Sequence, residues 1–122
     1  MLLHLYQYIN NGKKVISSLF VILASICNAL MDIVENENFF TSKFKNLDQK
    51  FWYKRESWKY AKKIFSYKLD AWHLSKSAMI VFLCLAVVNY DVIIYPIVDF
   101  LIFGILWNAI FNVFYNHLFK SK

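Results

Sequence analysis

Tyr67 to Val87 reads YKLDAWHLSKSAMIVFLCLAV. Asp70, His73 and Lys76 stand at three-residue spacing ahead of a run with no further charge. At 1.5 Å per residue a helix of about twenty such residues crosses a hydrocarbon core of roughly 30 Å. The stretch therefore predicts a membrane-spanning helix over 70–88 with a polar mouth. It also poses the functional question, since those three polar side chains either carry chemistry or mark the edge of the lipid.

Two further runs answer in kind. Val15 to Val34, VISSLFVILASICNALMDIV, has the length of a span, and Pro96 is placed to open a third over 96–119, because proline at the first helical position forfeits only an amide without a helical partner. The chain of 122 residues is 59% hydrophobic and 20% aromatic, more than a soluble domain of that size can bury. Two glycines and one proline supply little turn chemistry for a β-fold, and the alternating ten-residue segments of a transmembrane barrel are missing. The expected fold is all-α and integral to the membrane, a single domain over 1–122 with three spans. A cleaved signal peptide over the first run is disfavoured by the lack of a small-x-small cleavage site. Asn10-Asn11-Gly12 reads as a turn ahead of the first span.

Between the first two spans lies a polar, aromatic connection over 35–69. Within FWYKRESWKYAKKIFSYKL, Phe51 to Leu69, the positions Trp58, Ala61, Phe65 and Leu69 recur at helical spacing among lysines. This predicts an amphipathic helix lying at the membrane interface, rings at headgroup depth and ammonium groups reaching water. Nine of the fourteen basic residues fall in this connection, with Lys120 and Lys122 on the same side and only Lys13 and Lys14 opposite. The bias toward basic cytoplasmic loops places the connection and the C-terminus in the cytoplasm and the N-terminus outside. The formal charge of +6 is explained by that loop, so nucleic acid is not an expected partner.

Polar groups from all three spans are expected at the cytoplasmic face. Asn28, Asp32 and Glu35 share a face of the first helix, Asp70, His73 and Lys76 an arc of the second, and Asn108, Asn112 and Asn116, followed by His117, form a stripe on the third. A carboxylate at the membrane needs a partner or water, so Asp32 is a site candidate. Three roles suit the set. Asp32, Asp70 and His73, with Glu35 or His117 added, have ligand types for a divalent metal ion as cofactor. His73 with Asp70 or Asp32 is a candidate catalytic acid/base pair. Lys76, with Trp58, Lys59, Trp72 and Asn116 around it, is a candidate binding set for an anionic lipid headgroup, with His73 as base in any lipid-phosphate chemistry. The competing structural reading has Asp70 as a helix cap and the asparagines as glue between helices, in a homo-oligomer or beside a membrane protein partner. Cys27 and Cys84 lie in apolar runs at different depths and read as small hydrophobes, and no phosphate-binding loop, dinucleotide fingerprint or serine elbow is present.

NALMDIVE, FWYKRESWKYAKK and DAWHLSKS, taken together over roughly Ala24 to Val87, resemble a group of uncharacterised small membrane proteins of Bacteroidota and some of their phages. Matching positions are Asp32, Phe51, Trp52, Ser57, Trp58, Lys59, Asp70, Ala71, Trp72, His73 and Lys76. The asparagine usual after the second tryptophan is replaced here by Lys59 and Tyr60. The resemblance implies that Trp52, Trp58 and Trp72 form one aromatic interface with the polar cluster, and, for a phage source, a role in modifying the host envelope.

Overall fold

A computed structural model describes residues 1–60 and 62–120, the side chains of residues 9–11, 13 and 14 excepted. Helix α1, Leu2–Glu35, is followed by a 3-10 turn at Glu37–Thr41 and the short helices α2, Gln49–Trp52, and α3, Lys54–Tyr60. A two-stranded hairpin, β1 Lys63–Ile64 and β2 Tyr67–Lys68, leads to α4, Ala71–Val88, and α5, Pro96–Asn112, which continues as a π-helix over Val113–Leu118. Among the described residues three stretches are long and apolar enough to cross a membrane: Val15–Glu35, Ala71–Val88 and Pro96–Leu118.

The expected turn at Asn10-Asn11-Gly12 is absent; α1 runs through it from Leu2. Gly12 has no positive φ, so its cost is the loss of roughly 1 kcal/mol of helix propensity, too little to stop a helix continued on both sides. The helix does end at Asn36, whose extended backbone breaks it and whose side chain accepts the amide of Asn38 at 2.9 Å.

Helix α1 is the post on which the others pack. Its buried face is small and hydroxylated, with Ser17, Val21, Ala24, Ser25 and Ala29, which lets neighbouring backbones come close. Ser17 Oγ donates to the Ala86 carbonyl at 2.9 Å, in the last turn of α4 where carbonyls lack helical partners. Ser25 Oγ donates to the Trp107 carbonyl of α5 at 2.7 Å. At the C-terminal end of α1, Asn38 Nδ2 donates to Tyr115 Oη and the Lys43 amide to the Phe119 carbonyl. Together these contacts make α4 antiparallel and α5 parallel to α1, and bring Lys120 to the same end as the basic connection.

That connection is not one amphipathic helix. Helix α3 stops at Tyr60, Ala61 lies outside the described residues, and the chain reverses at Phe65 and Ser66, both at positive φ, the backbone of a tight hairpin turn. Phe65 is fully exposed at the tip. The physical reason is a tertiary contact: a straight helix would hold Ser57 and Asp70 about 20 Å apart along its axis, whereas their side chains meet at 2.6 Å. Around this reversal Val34, Phe39, Tyr53 and Ala71 form a small buried cluster, with Phe39 stacked on Tyr53 at 5.2 Å. Both cysteines are free thiols, Cys27 half-buried and Cys84 exposed.

Candidate functional site

The polar mouth of α4 is built around Asp70. Its backbone is extended, at the position just ahead of the first helical turn, and its side chain is fully buried. Oδ1 accepts both the His73 amide and His73 Nδ1, each at 2.7 Å, while Oδ2 accepts the hydroxyl of fully buried Ser57 at 2.6 Å. An aspartate is suited to this position because its short arm reaches the third amide of the helix, one of four without a helical acceptor. The second oxygen then ties α3 to α4.

The imidazole is oriented from three sides. The carboxylate can only accept, so Nδ1 is the donor, and in the neutral imidazole the lone pair lies on Nε2. Trp72 meets the His73 ring edge-on at 5.0 Å and Tyr67 at 5.9 Å. Tyr67 Oη donates to the His73 carbonyl at 2.7 Å; its single hydrogen being spent there, Ser77 Oγ is the donor in the 2.5 Å contact between the two hydroxyls.

Two ammonium groups address the neighbouring indole. Lys54 Nζ lies 3.6 Å from the Trp72 ring centroid and Lys76 Nζ 5.1 Å, both within cation–π range. Lys54 also pairs with Glu35 at 3.1 Å, whereas no carboxylate among the described residues lies within ion-pair distance of Lys76. Trp72 Nε1 is buried with no acceptor among the described residues. A shallow groove of about 410 Å³ lies beside this group, lined by Glu35, Asn36, Lys54, Arg55 and Trp58.

Several expected members stand apart. Asp32 is half-buried on α1, with Glu35 of the same helix as its neighbouring charge, and it does not join Asp70 and His73 in a ligand set. Among the described residues no group of three His, Cys, Asp or Glu side chains is placed to hold a metal ion. Buried Asp70 already has both oxygens engaged with donors, so Asp32, Asp70 and His73 are not assembled as a metal centre here. Asn116 is also separate: it is exposed and its amide donates to Asn112 Oδ1 at 3.4 Å, while Asn108 and His117 are exposed too. Trp58 and Lys59 belong to the rim, where Lys59 lies 5.9 Å from the Trp58 ring and Lys68 Nζ donates to the Trp58 carbonyl. Ser57, Tyr67, Ser77 and Lys54 complete the site; Ser57 is a matching position of the resemblance and Ser77 adjoins the arc of Asp70, His73 and Lys76 in sequence, whereas Tyr67 and Lys54 carry no functional signal in the sequence.

A second polar node closes the opposite end. Asp99, fully buried in the first turn of α5, accepts the Tyr90 hydroxyl at 2.7 Å and the amides of Ile93 and Ile94 at 2.8 and 3.0 Å. It ties down the α4–α5 loop. Loss of water around the Tyr90 phenol, with the hydrogen bond to and the charge of Asp99, pushes its pKa up to about 12. Since that lies above the value of about 10 for a free tyrosine, the stabilisation is complete below pH 10 and is lost as pH rises from there through 12. Ultraviolet titration is expected to show one tyrosine that resists ionisation at pH 11 and is missing from Tyr90→Phe; a Tyr90→Phe profile superimposable on the parent would refute this.

The fold and site together define a small three-helix protein of membrane-spanning length, capped at one end by a lysine- and tryptophan-rich connection. In comparison with known proteins, no family model, no curated protein and no solved structure matches the chain.

Proposed function

We propose that this chain is a multi-pass protein of the bacterial inner membrane whose capped end binds the phosphate of an anionic lipid headgroup. The observation that carries the reading is Lys76, an ammonium held at the Trp72 ring at 5.1 Å with no carboxylate of the described residues in reach, one turn from His73. A lipid phosphate supplies the anion it lacks, and the Trp72 ring, Lys54 and the rim of Trp58 and Lys59 suit headgroup depth. The basic connection and Lys120 lie at one end of the bundle, which by the basic-loop bias is the cytoplasmic one, with the N-terminus outside.

A headgroup is favoured over a divalent ion because no three ligand side chains converge among the described residues. If lipid-phosphate chemistry takes place, His73 Nε2 is its base, in the tautomer fixed by Asp70, and Lys76 its phosphate anchor.

Lipid mass analysis of protein purified in mild detergent tests the reading. The parent is expected to retain phosphatidylglycerol or cardiolipin, and Lys76→Gln to retain several-fold less with an unchanged melting temperature. Anionic lipid held equally by both proteins, or by neither, would end the proposal. Inorganic phosphate added at millimolar concentration separates a headgroup site from a free-phosphate site: only the latter loses retained lipid by competition.

A further inference from the structure

Helix α5 is the least covered of the three spans: 6% of an 18-residue stretch within Pro96–Leu118 is buried inside the chain, against 39% of one within Val15–Glu35. Its inward face is set by Asp99, Phe103, Trp107 and Ile110. On the opposite side Val98, Leu101, Ile105, Asn108 and Asn112 are all exposed. Their spacing, three then four then three then four, is the a/d repeat of a helix that packs on another helix.

Two of these positions are amides in a stretch otherwise suited to hydrocarbon. No hydrogen bond to the Asn108 side chain is formed among the described residues, and the only one to Asn112 comes from its neighbour Asn116. An amide facing acyl chains has no water to satisfy it, and a helix partner is the remaining source of donors and acceptors. Asparagine is its own complement, since each amide both donates and accepts. Two copies of one chain inserted in the same orientation place Asn108 opposite Asn108 and Asn112 opposite Asn112 at equal depth. No other partner meets that condition automatically.

The rest of the seam agrees. β-Branched Val98 and Ile105 at a with Leu101 at d favour a parallel pair of helices, and a polar a residue such as Asn112 sets register. Gly104 flanks the seam, and a Cβ added there would meet nothing within 4 Å, so backbones can approach closely. Seven exposed side chains, the five of the seam with Ile97 and Ile102, amount to roughly 700 Å² per copy at on the order of 100 Å² each. A stable interface takes about 800 Å² per partner.

We infer that α5 pairs in parallel with α5 of a second copy about a two-fold axis along the membrane normal, joined by the amides of Asn108 and Asn112. This stands independently of the lipid site at the mouth of α4.

Disulfide trapping of the full chain in membranes tests it, in a Cys27→Ala, Cys84→Ala background. Leu101→Cys and Ile105→Cys are expected to give covalent dimers under mild oxidation, whereas Phe100→Cys and Val113→Cys, exposed but off the seam, give several-fold less. In detergent, light scattering is expected to show a dimer whose dissociation constant rises on the order of tenfold or more in Asn108→Leu, Asn112→Leu, with partial recovery in Asn108→Gln. Equal trapping on and off the seam, a parent that is monomeric throughout, or a different membrane protein trapped at Leu101→Cys would each overturn the inference. A dimer unaffected by the double leucine variant would do the same for the role of the amides.

Discussion

Replacing Asp70 with alanine is expected to lower stability by about 3 kcal/mol, the largest loss for any single side chain at the capped end. The helix loses its N-terminal cap, worth roughly 1 kcal/mol. The Ser57 hydroxyl and the His73 Nδ1–H lose their acceptor as well, Ser57 in a fully buried place, at about 1 kcal/mol or more each. Asp70→Asn keeps one acceptor oxygen for the His73 amide and is expected to cost nearer 1 kcal/mol. Tryptophan fluorescence during thermal unfolding in detergent reads the effect directly, because Trp72 stands beside His73 and Trp58 on α3. If Asp70→Ala melts with the parent, the tie between α3 and α4 contributes nothing. His73→Ala, by contrast, removes one partner of the carboxylate and leaves the cap and Ser57 in place, so folded protein should survive it. That separation lets His73 be tested for chemistry without losing the fold.

At the other end, Asp99→Ala is expected to lower the melting temperature on the order of 10 °C. Three donors depend on that carboxylate: the Tyr90 hydroxyl and the amides of Ile93 and Ile94. Backbone amides cannot be satisfied by rearranging a side chain, so the loop of residues 89–95 must open to water or leave them unpaired. Asp99→Asn retains an acceptor for one amide and removes the negative charge beside Tyr90. Its phenol should then ionise closer to the ordinary tyrosine value, which the same ultraviolet titration would reveal. A smaller destabilisation in Asp99→Ala than in Tyr90→Phe would contradict this account, since Tyr90→Phe breaks only one of the three bonds.

The two nodes differ in how far sequence pattern could reach them. Asp70 and His73 sit three residues apart on one helix, so their meeting follows from helical geometry alone. Ser57 is thirteen residues upstream across a chain reversal, and nothing in helical spacing places it there. The lysines show the same limit. Nine basic residues in one connection predict the side of the membrane, but not that Lys54 covers Trp72 while Lys76 lacks a carboxylate. With Pro96 at the start of the helix, the position of Asp99 alone puts it in the first turn, yet its loop partners follow only from the path of residues 90–94. The segment is not one continuous helix for a related reason: Trp58, Ala61, Phe65 and Leu69 share a helical period, but the contact between Ser57 and Asp70 demands a hairpin, and tertiary structure overrides a period carried by so few residues.

For this chain, apolar run length and the placement of Pro96, Asp70 and the lysines determined three membrane-length helices and their polar ends, because those properties act within about twenty consecutive residues. Which faces meet was decided by packing. Asp32 and the asparagine stripe lie on helices that were foreseen, but helix rotation turns on serine-to-carbonyl bonds and small buried residues contributed by distant parts of the chain. Those contacts leave Asp32 out of the α4 cluster and turn Asn108 and Asn112 outward.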